Sequence, residues 1–224
     1  FKTLVSVIEK LLYIIRGKPP YPGFKRFFIK GVEVWSGTLN FDSRYDSIRI
    51  RDSYKIRIEF SKKDWIPLVY EIGGRTDEIA KRRNISDKRD LHVNTTNLSI
   101  CLCPRPEGKR RFPETVDPGE FIEELVIPYF FALSYFEKNG KWPWGFYGHG
   151  DMGIYEYYLD KRNPSDQSIA QDCLLSLQVL RLIEGQFNGH ENCICGSRKK
   201  FKKCHPRAFN GARAMASDLK KNKQ

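Results

Sequence analysis

Four residues near the C-terminal end of this 224-residue chain have the types and spacing of a metal site. The run from Cys193 through Ile194 to Cys195, and on to Cys204 and His205, holds two ligand pairs with eight residues between them. Cys193 and Cys195 can present two thiolates to one ion from a single tight turn, which Gly196 permits, and Cys204 with His205 completes a tetrahedron. The expected ion is zinc. All four positions are filled by protein, leaving no open place for a reactive water, so the expected role is structural. The surrounding lysines and arginines would offset the charge of three thiolates.

A second candidate lies in the segment from Leu91 to Leu102, where Cys101 follows His92, Asn94, Ser99 and Ile100. Flanked by Ile100 and Leu102, Cys101 has two readings, a buried core residue or a nucleophile. As a nucleophile its thiolate would accept an acyl group, and an amide such as Asn94 could stabilise the negative oxygen that develops when an amine attacks the thioester. Arg82, Arg83, Lys88, Arg89, Lys109, Arg110 and Arg111 are expected to favour the thiolate. Cys103 is a bystander or redox partner. His149, between two glycines, reads as a structural histidine, with a place near the thiol left open.

Composition bounds the rest. With 40% apolar and 13% aromatic residues the chain can bury a core for one globular domain and an appendage. Six cysteines, unevenly spaced, do not make a disulfide framework, and a reducing cytoplasm is the expected location. The longest apolar stretches, Leu11 to Ile15 and Ile127 to Leu133, fall short of the ~20 residues a bilayer crossing needs, so no membrane span is expected. A net charge of +12 would attract acidic partners. With no base-reading motif and no interleaving of aromatic and basic residues, nucleic acid is not the expected main partner. The sequence begins at Phe1 and leaves open what precedes it.

These residues must be positioned by an α+β fold. Residues 2–16 place Leu4, Val5, Ile8, Leu11, Leu12 and Ile15 on one side of a helix, stopped by Gly17 and the prolines at 19, 20 and 22. From Gly31 to Gly73 the period becomes two, predicting a four-stranded antiparallel meander from Val32 to Leu39, Ser47 to Arg51, Tyr54 to Phe60 and Pro67 to Ile72. Residues 74–116 read as a long irregular active-site loop. Asp117 and Pro118 open a covering helix to Lys138. The aromatic stretch 141–150 reads as a packed turn leading to a short helix through Tyr158. A helix from Ser165 to Gly185 has Cys173 on its apolar face. The composition shifts after Gly189, which suggests a domain over 1–188 and a zinc-binding basic tail over 189–224.

The tail spacing resembles the SEC-C motif, the zinc tail at the extreme C-terminus of the bacterial SecA motor, and that resemblance implies a docking element with a structural metal. The element order, with His92, Asn94, Ser99, Ile100, Cys101 and Leu102, resembles the ubiquitin-conjugating (UBC-like) enzymes, whose hallmark is His-Pro-Asn followed by a short run ending in the acceptor cysteine. Val93 stands in place of the family's proline, and the interval to Cys101 is one residue shorter. The resemblance covers roughly residues 1–140 and implies Cys101 as acyl acceptor, Asn94 as oxyanion donor and His92 as a brace. Joined to a Cys-His tail, with Trp142, Trp144, Gly148, His149 and Gly150 between, such a core resembles the stand-alone conjugating proteins of CBASS anti-phage operons. There the acyl donor is the C-terminus of a cGAS-like nucleotidyltransferase. The expected function is therefore a thioester-forming transferase acting on that C-terminus in anti-phage signalling. The alternatives are a non-catalytic adaptor of the same fold and a Cys/His thiol hydrolase. Acceptor, activating enzyme and oligomeric state are not legible.

Overall fold

The computed structural model describes residues 21–61, 64–112, 116–165, 168–177 and 189–221. The helix expected over 2–16 lies outside them, as do 166–167 and 178–185 of the helix expected from Ser165 to Gly185. The described residues form two units, one running up to Leu102 and resuming over Phe112–Gly145, the other made of Cys103–Arg111 and the residues from Phe146 onward.

The first unit is built on a four-stranded antiparallel sheet in sequence order, β1 (Phe24–Ile29), β2 (Val32–Tyr45), β3 (Ile48–Phe60) and β4 (Leu68–Glu71). Lys30 and Gly31, both at positive φ (49° and 83°), form the two-residue turn that lets β1 fold back with Ile29 opposite Val32. Alternation on β3 buries Tyr54, Ile56 and Ile58 beside Leu39, Trp35 and Val69 of the neighbouring strands. The membership of the meander differs from the expected one in two places. β1 was not expected, because Arg26 shares a strand face with Phe24 and Phe28 and blurs the alternation; its guanidinium pairs with Glu33 at 2.6 Å. The segments Ser47 to Arg51 and Tyr54 to Phe60 are one strand, because Asp52 finds polar partners and the ladder continues through it.

The covering helix starts as expected, with the Glu120 amide donating to Asp117 Oδ1 at 2.8 Å. It runs through α3 (Pro118–Phe121), a π turn (Ile122–Val126) and α4 (Ile127–Asn139). Pro128 cannot donate to the carbonyl four residues back, and the wider turn just before it, where the Ile127 amide reaches the Ile122 carbonyl, accommodates that loss. The Phe130 ring meets Tyr54 with centroids 4.4 Å apart.

The segment 74–116 is not irregular throughout. It contains α1 (Arg75–Arg82), a 3₁₀ turn (Lys88–Leu91) and, in the second unit, α2 (Arg105–Arg111). Asp77 and Glu78 in its first turn and Lys81 and Arg82 in its last suit the dipole of α1. Its Arg75 is a polar node: it bonds both oxygens of Asp52 (2.7 and 2.8 Å), reaches Glu137 Oε2 (2.6 Å) and lies 4.4 Å from the centre of the Tyr54 ring. Ser134 Oγ donates to Asp52 at 2.7 Å and lies 2.9 Å from the Tyr54 hydroxyl. Strand β3, helix α1 and helix α4 are thereby joined.

The second unit is helical: α2, α5 (Asp151–Lys161), α6 (Ser168–Ser176), α7 (Phe201–Cys204) and α8 (Pro206–Lys221). Ala208, Ala212 and Met215 of α8 share a core with Tyr155 and Tyr158 of α5, so the boundary expected between 188 and 189 falls inside this unit. A Cβ on Gly211 would lie 1.9 Å from the Tyr155 carbonyl oxygen, which makes this the crossing point of the pair. Beyond it, the Tyr158 hydroxyl donates to the buried Asp218 at 2.7 Å. Cys173 of α6 is the expected core residue, and burial pushes its thiol up to about 12. Among the described residues, no helix is long and apolar enough to cross a membrane.

Replacing Arg75 by Ala leaves Asp52 and Glu137 without their shared cation and is expected to lower unfolding stability by about 2 kcal/mol in chemical denaturation, between the values for buried and surface ion pairs. Burial opposes ionisation of Asp52, but hydrogen bonds from Arg75, Ser134 and the Ser53 amide outweigh it and hold the carboxyl below its usual value. A depressed folded-state value adds stability above the unfolded carboxylate's ~3.9, and that stability is lost as pH falls through the folded value. The gap between wild type and Arg75→Ala should accordingly narrow in acid.

Candidate functional site

The tail ligands are held by a small hairpin followed by α7. Asn192 pairs with Lys200 in an antiparallel bridge, the Cys193 amide donates to the Lys199 carbonyl at 2.7 Å, and the Phe201 amide donates to the Glu191 carbonyl at 3.0 Å. The Gly196 amide closes the tight turn on the Cys193 carbonyl at 3.1 Å, with Gly196 at φ 82°. One turn of α7 then carries Cys204, with His205 at its C-terminal end. Phe201, 1% exposed, anchors this turn in the core against Tyr155 and Phe209.

The four expected ligands converge, their donor atoms all within 4.8 Å of one another. Cys195 Sγ and Cys204 Sγ are 3.7 Å apart, and Cys193 Sγ is 3.2 Å from His205 Nδ1. A tetrahedral ion with metal–sulfur bonds of about 2.3 Å separates its sulfurs by about 3.8 Å, so the set fits a metal ion such as zinc. Burial pushes the Cys193 thiol up to about 12, whereas hydrogen bonds from Ser197 pull that of Cys195 down to about 7. Sequence reasoning misses Ser197, whose hydroxyl lies 3.1 Å from Cys204 Sγ; its place between the ligand pairs is the available signal.

The second candidate site is also a hairpin. Val93 and Ile100 form an antiparallel bridge, which sets His92 opposite Cys101 and Asn94 opposite Ser99. The Cys101 amide donates to the His92 carbonyl at 2.7 Å and the Asn94 amide to the Ser99 carbonyl at 2.8 Å. On its other side the Ile100 amide donates to the Val69 carbonyl of β4 at 2.7 Å, docking the hairpin on the edge of the sheet. The buried Tyr129 hydroxyl donates to the Leu91 carbonyl at 2.8 Å, a tie with no signal in the local sequence.

His92 and Cys101 are thus brought together, with a ring nitrogen within 4.8 Å of Sγ. His92 is buried, takes a left-handed conformation (φ 55°) at the end of the 3₁₀ turn, and meets the Trp142 ring edge-on at 5.7 Å. Asn94 is on the exposed side of the hairpin, its side-chain amide donating to Ser99 Oγ at 2.9 Å. An amide nitrogen carries two hydrogens, so one more N–H is available for a carbonyl oxygen. Cys101 is partly buried.

The thiolate is not favoured as expected. Burial pushes the Cys101 thiol above its ordinary value. Most of the expected cations are engaged: Arg82 with Glu137, Lys88 with Asp77, Arg89 with Asp87 at 2.6 Å, Arg110 with Asp172 at 3.6 Å and Arg111 with Glu107 at 2.9 Å, while Arg83 donates to the Glu137 carbonyl. A paired cation projects little net field. Cys103 is buried.

The SEC-C motif family matches residues 191–205, which contain all four tail ligands. No curated protein and no solved structure matches the chain.

Zinc-loaded wild type is expected to hold about one ion per chain by elemental analysis, and Cys204→Ala close to none, since three remaining donors no longer close the tetrahedron. Alkylation of Cys101 by iodoacetamide should accelerate with pH through an apparent value above the ~8.5 of a free thiol. A plateau already reached at pH 7 would contradict the burial argument.

Proposed function

We propose that the first unit is a ubiquitin-conjugating-like acyl carrier, with Cys101 as the acceptor, and that the tail is a structural zinc module used for docking. The reading is supported chiefly by the hairpin that sets His92 opposite Cys101 and Asn94 two pairs further along the same two segments. The order of elements agrees with it: an antiparallel meander, the thiol-bearing hairpin on the edge of its last strand, then a helix that covers the sheet.

In this reading the Cys101 thiolate attacks an activated C-terminal carbonyl of a donor protein, expels the leaving group and forms a thioester. A lysine or other amine then attacks the same carbonyl. The tetrahedral oxygen takes up negative charge, the second N–H of Asn94 donates to it, and the Cys101 thiolate departs as the amine loses its proton. His92, wedged against Trp142, braces the loop. The neutral thiol suits a carrier that must not react with every electrophile it meets, and an incoming donor must bring, or wait for, deprotonation. By the resemblance to CBASS proteins, the donor is the C-terminus of a cGAS-like nucleotidyltransferase and the context is anti-phage signalling.

One observation favours a second reading, a thiol hydrolase: a His92 nitrogen lies within 4.8 Å of Cys101 Sγ, near enough to become a base after a small adjustment. The two readings separate by product. Incubated with a cGAS-like nucleotidyltransferase, an activating enzyme and ATP, wild type should form an adduct that thiol reductants cleave, Cys101→Ser an adduct that resists them, and Cys101→Ala none. Asn94→Ala should keep the first adduct and slow its transfer to an amine by about 100-fold. Free acid without an adduct supports the hydrolase, and function unchanged in Cys101→Ala leaves only a binding role.

A further inference from the structure

The four tail ligands differ sharply in access. Cys193 is 4% exposed, its amide is fixed by the Lys199 carbonyl and its sulfur rests against His205. Cys195 is exposed and Cys204 half-buried, and their two sulfurs, 3.7 Å apart, are at van der Waals contact. Gly196, which follows Cys195, has open space where a side chain would stand, so the arm bearing Cys195 has room to move. Exposed Arg198, Lys199, Lys200 and Lys203 lie between the two ligand pairs in the chain. A small oxidant arriving from water meets Cys195 and Cys204 first.

We propose that Cys195 and Cys204 form a peroxide-sensitive modification site, in which oxidation joins their sulfurs as a disulfide and releases the metal while Cys193 and His205 remain unmodified. The site is independent of the reading of Cys101. The Cys195 thiolate attacks one oxygen of hydrogen peroxide, the O–O bond breaks, and the departing hydroxide takes a proton to become water, leaving a sulfenic acid. The Cys204 thiolate then attacks that sulfur. The S–S bond forms, the S–O bond breaks, and the second hydroxide takes a proton to become water. Two thiolates lose two electrons and one peroxide gains them.

Closing the bond brings the sulfurs from 3.7 Å to about 2.05 Å, a movement within reach of the glycine-hinged turn. One thiolate and one imidazole remain to hold the ion, two ligands of the four, and it dissociates. The helical pair survives this, because Phe201, Ala208, Ala212 and Met215 are buried in a core that the metal does not supply.

The test uses the full chain carrying Cys101→Ser, which removes the other partly exposed thiol, loaded with zinc and treated with one equivalent of hydrogen peroxide. Released zinc is read with a chromogenic chelator, cysteine pairing by peptide mass spectrometry with fragmentation at Ile194, and helicity by circular dichroism. About one zinc released per peroxide consumed, a Cys195–Cys204 link, unchanged helicity, and reversal by dithiothreitol with added zinc are expected. Zinc retained while peroxide is consumed, a link that includes Cys193, or release accompanied by sulfinic acid instead of a disulfide would overturn the proposal.

Discussion

The outer edge of β4 is the constraint on which the position of Cys101 depends. A last strand offers a row of unpaired main-chain groups, and a sheet that leaves them open invites association with other chains. Here the Val69 carbonyl is taken by the Ile100 amide, and the segment that makes this bond pairs in turn with the segment carrying His92. Covering the edge and presenting the thiol are therefore the same event. The buried Tyr129 hydroxyl, coming from the helix over the sheet, holds the far side of the hairpin through Leu91. A loop tied at both flanks in this way fixes two side chains opposite one another through its main chain.

Behind that edge, the sheet accepts a charged residue in a row of apolar ones. Asp52 shares its strand face with Tyr54, Ile56 and Ile58, and a lone carboxylate there would be costly. Arg75 and Ser134 satisfy it, and Arg75 also engages Glu137 and the face of the Tyr54 ring. Polar groups in such a place favour one arrangement of strand and helices, since sliding any of the three elements leaves a charge without its partner. The apolar contacts beside it, such as Phe130 against Tyr54, are more tolerant of displacement.

The parts legible in the sequence are those whose causes are local. Cys193, Cys195, Cys204 and His205 are identified by spacing alone, and their convergence needs only a glycine turn and one turn of helix. Asp117 followed by Pro118 announces a helix start, and the alternation from Tyr54 to Phe60 announces a strand. The parts that were not legible depend on partners far along the chain. Asp52 reads as a break because Arg75 and Ser134 lie 23 and 82 residues away. Arg26 hides β1 for a nearer reason: its partner Glu33 stands just across the turn on β2, and a charge interrupts the apolar alternation. The cations that flank Cys101 in the sequence read as an electropositive loop until their carboxylates, Glu137 among them, are seen beside them. The boundary placed after residue 188 follows a change in composition, whereas the folded unit follows the apolar face of α8, which a count of lysines conceals.

Gly211 gives the helical unit something like an index mark. Its missing side chain lets two backbones touch at a single notch, where any Cβ would fall 1.9 Å from the Tyr155 carbonyl oxygen. The longitudinal setting of α8 is consequently marked by that one close approach. Because His205 and Cys204 lie just upstream of that notch on the same chain, about two helical turns away, their height above α5 is dictated by backbone geometry before any ion arrives. The clasp is assembled on a ruler already cut to length.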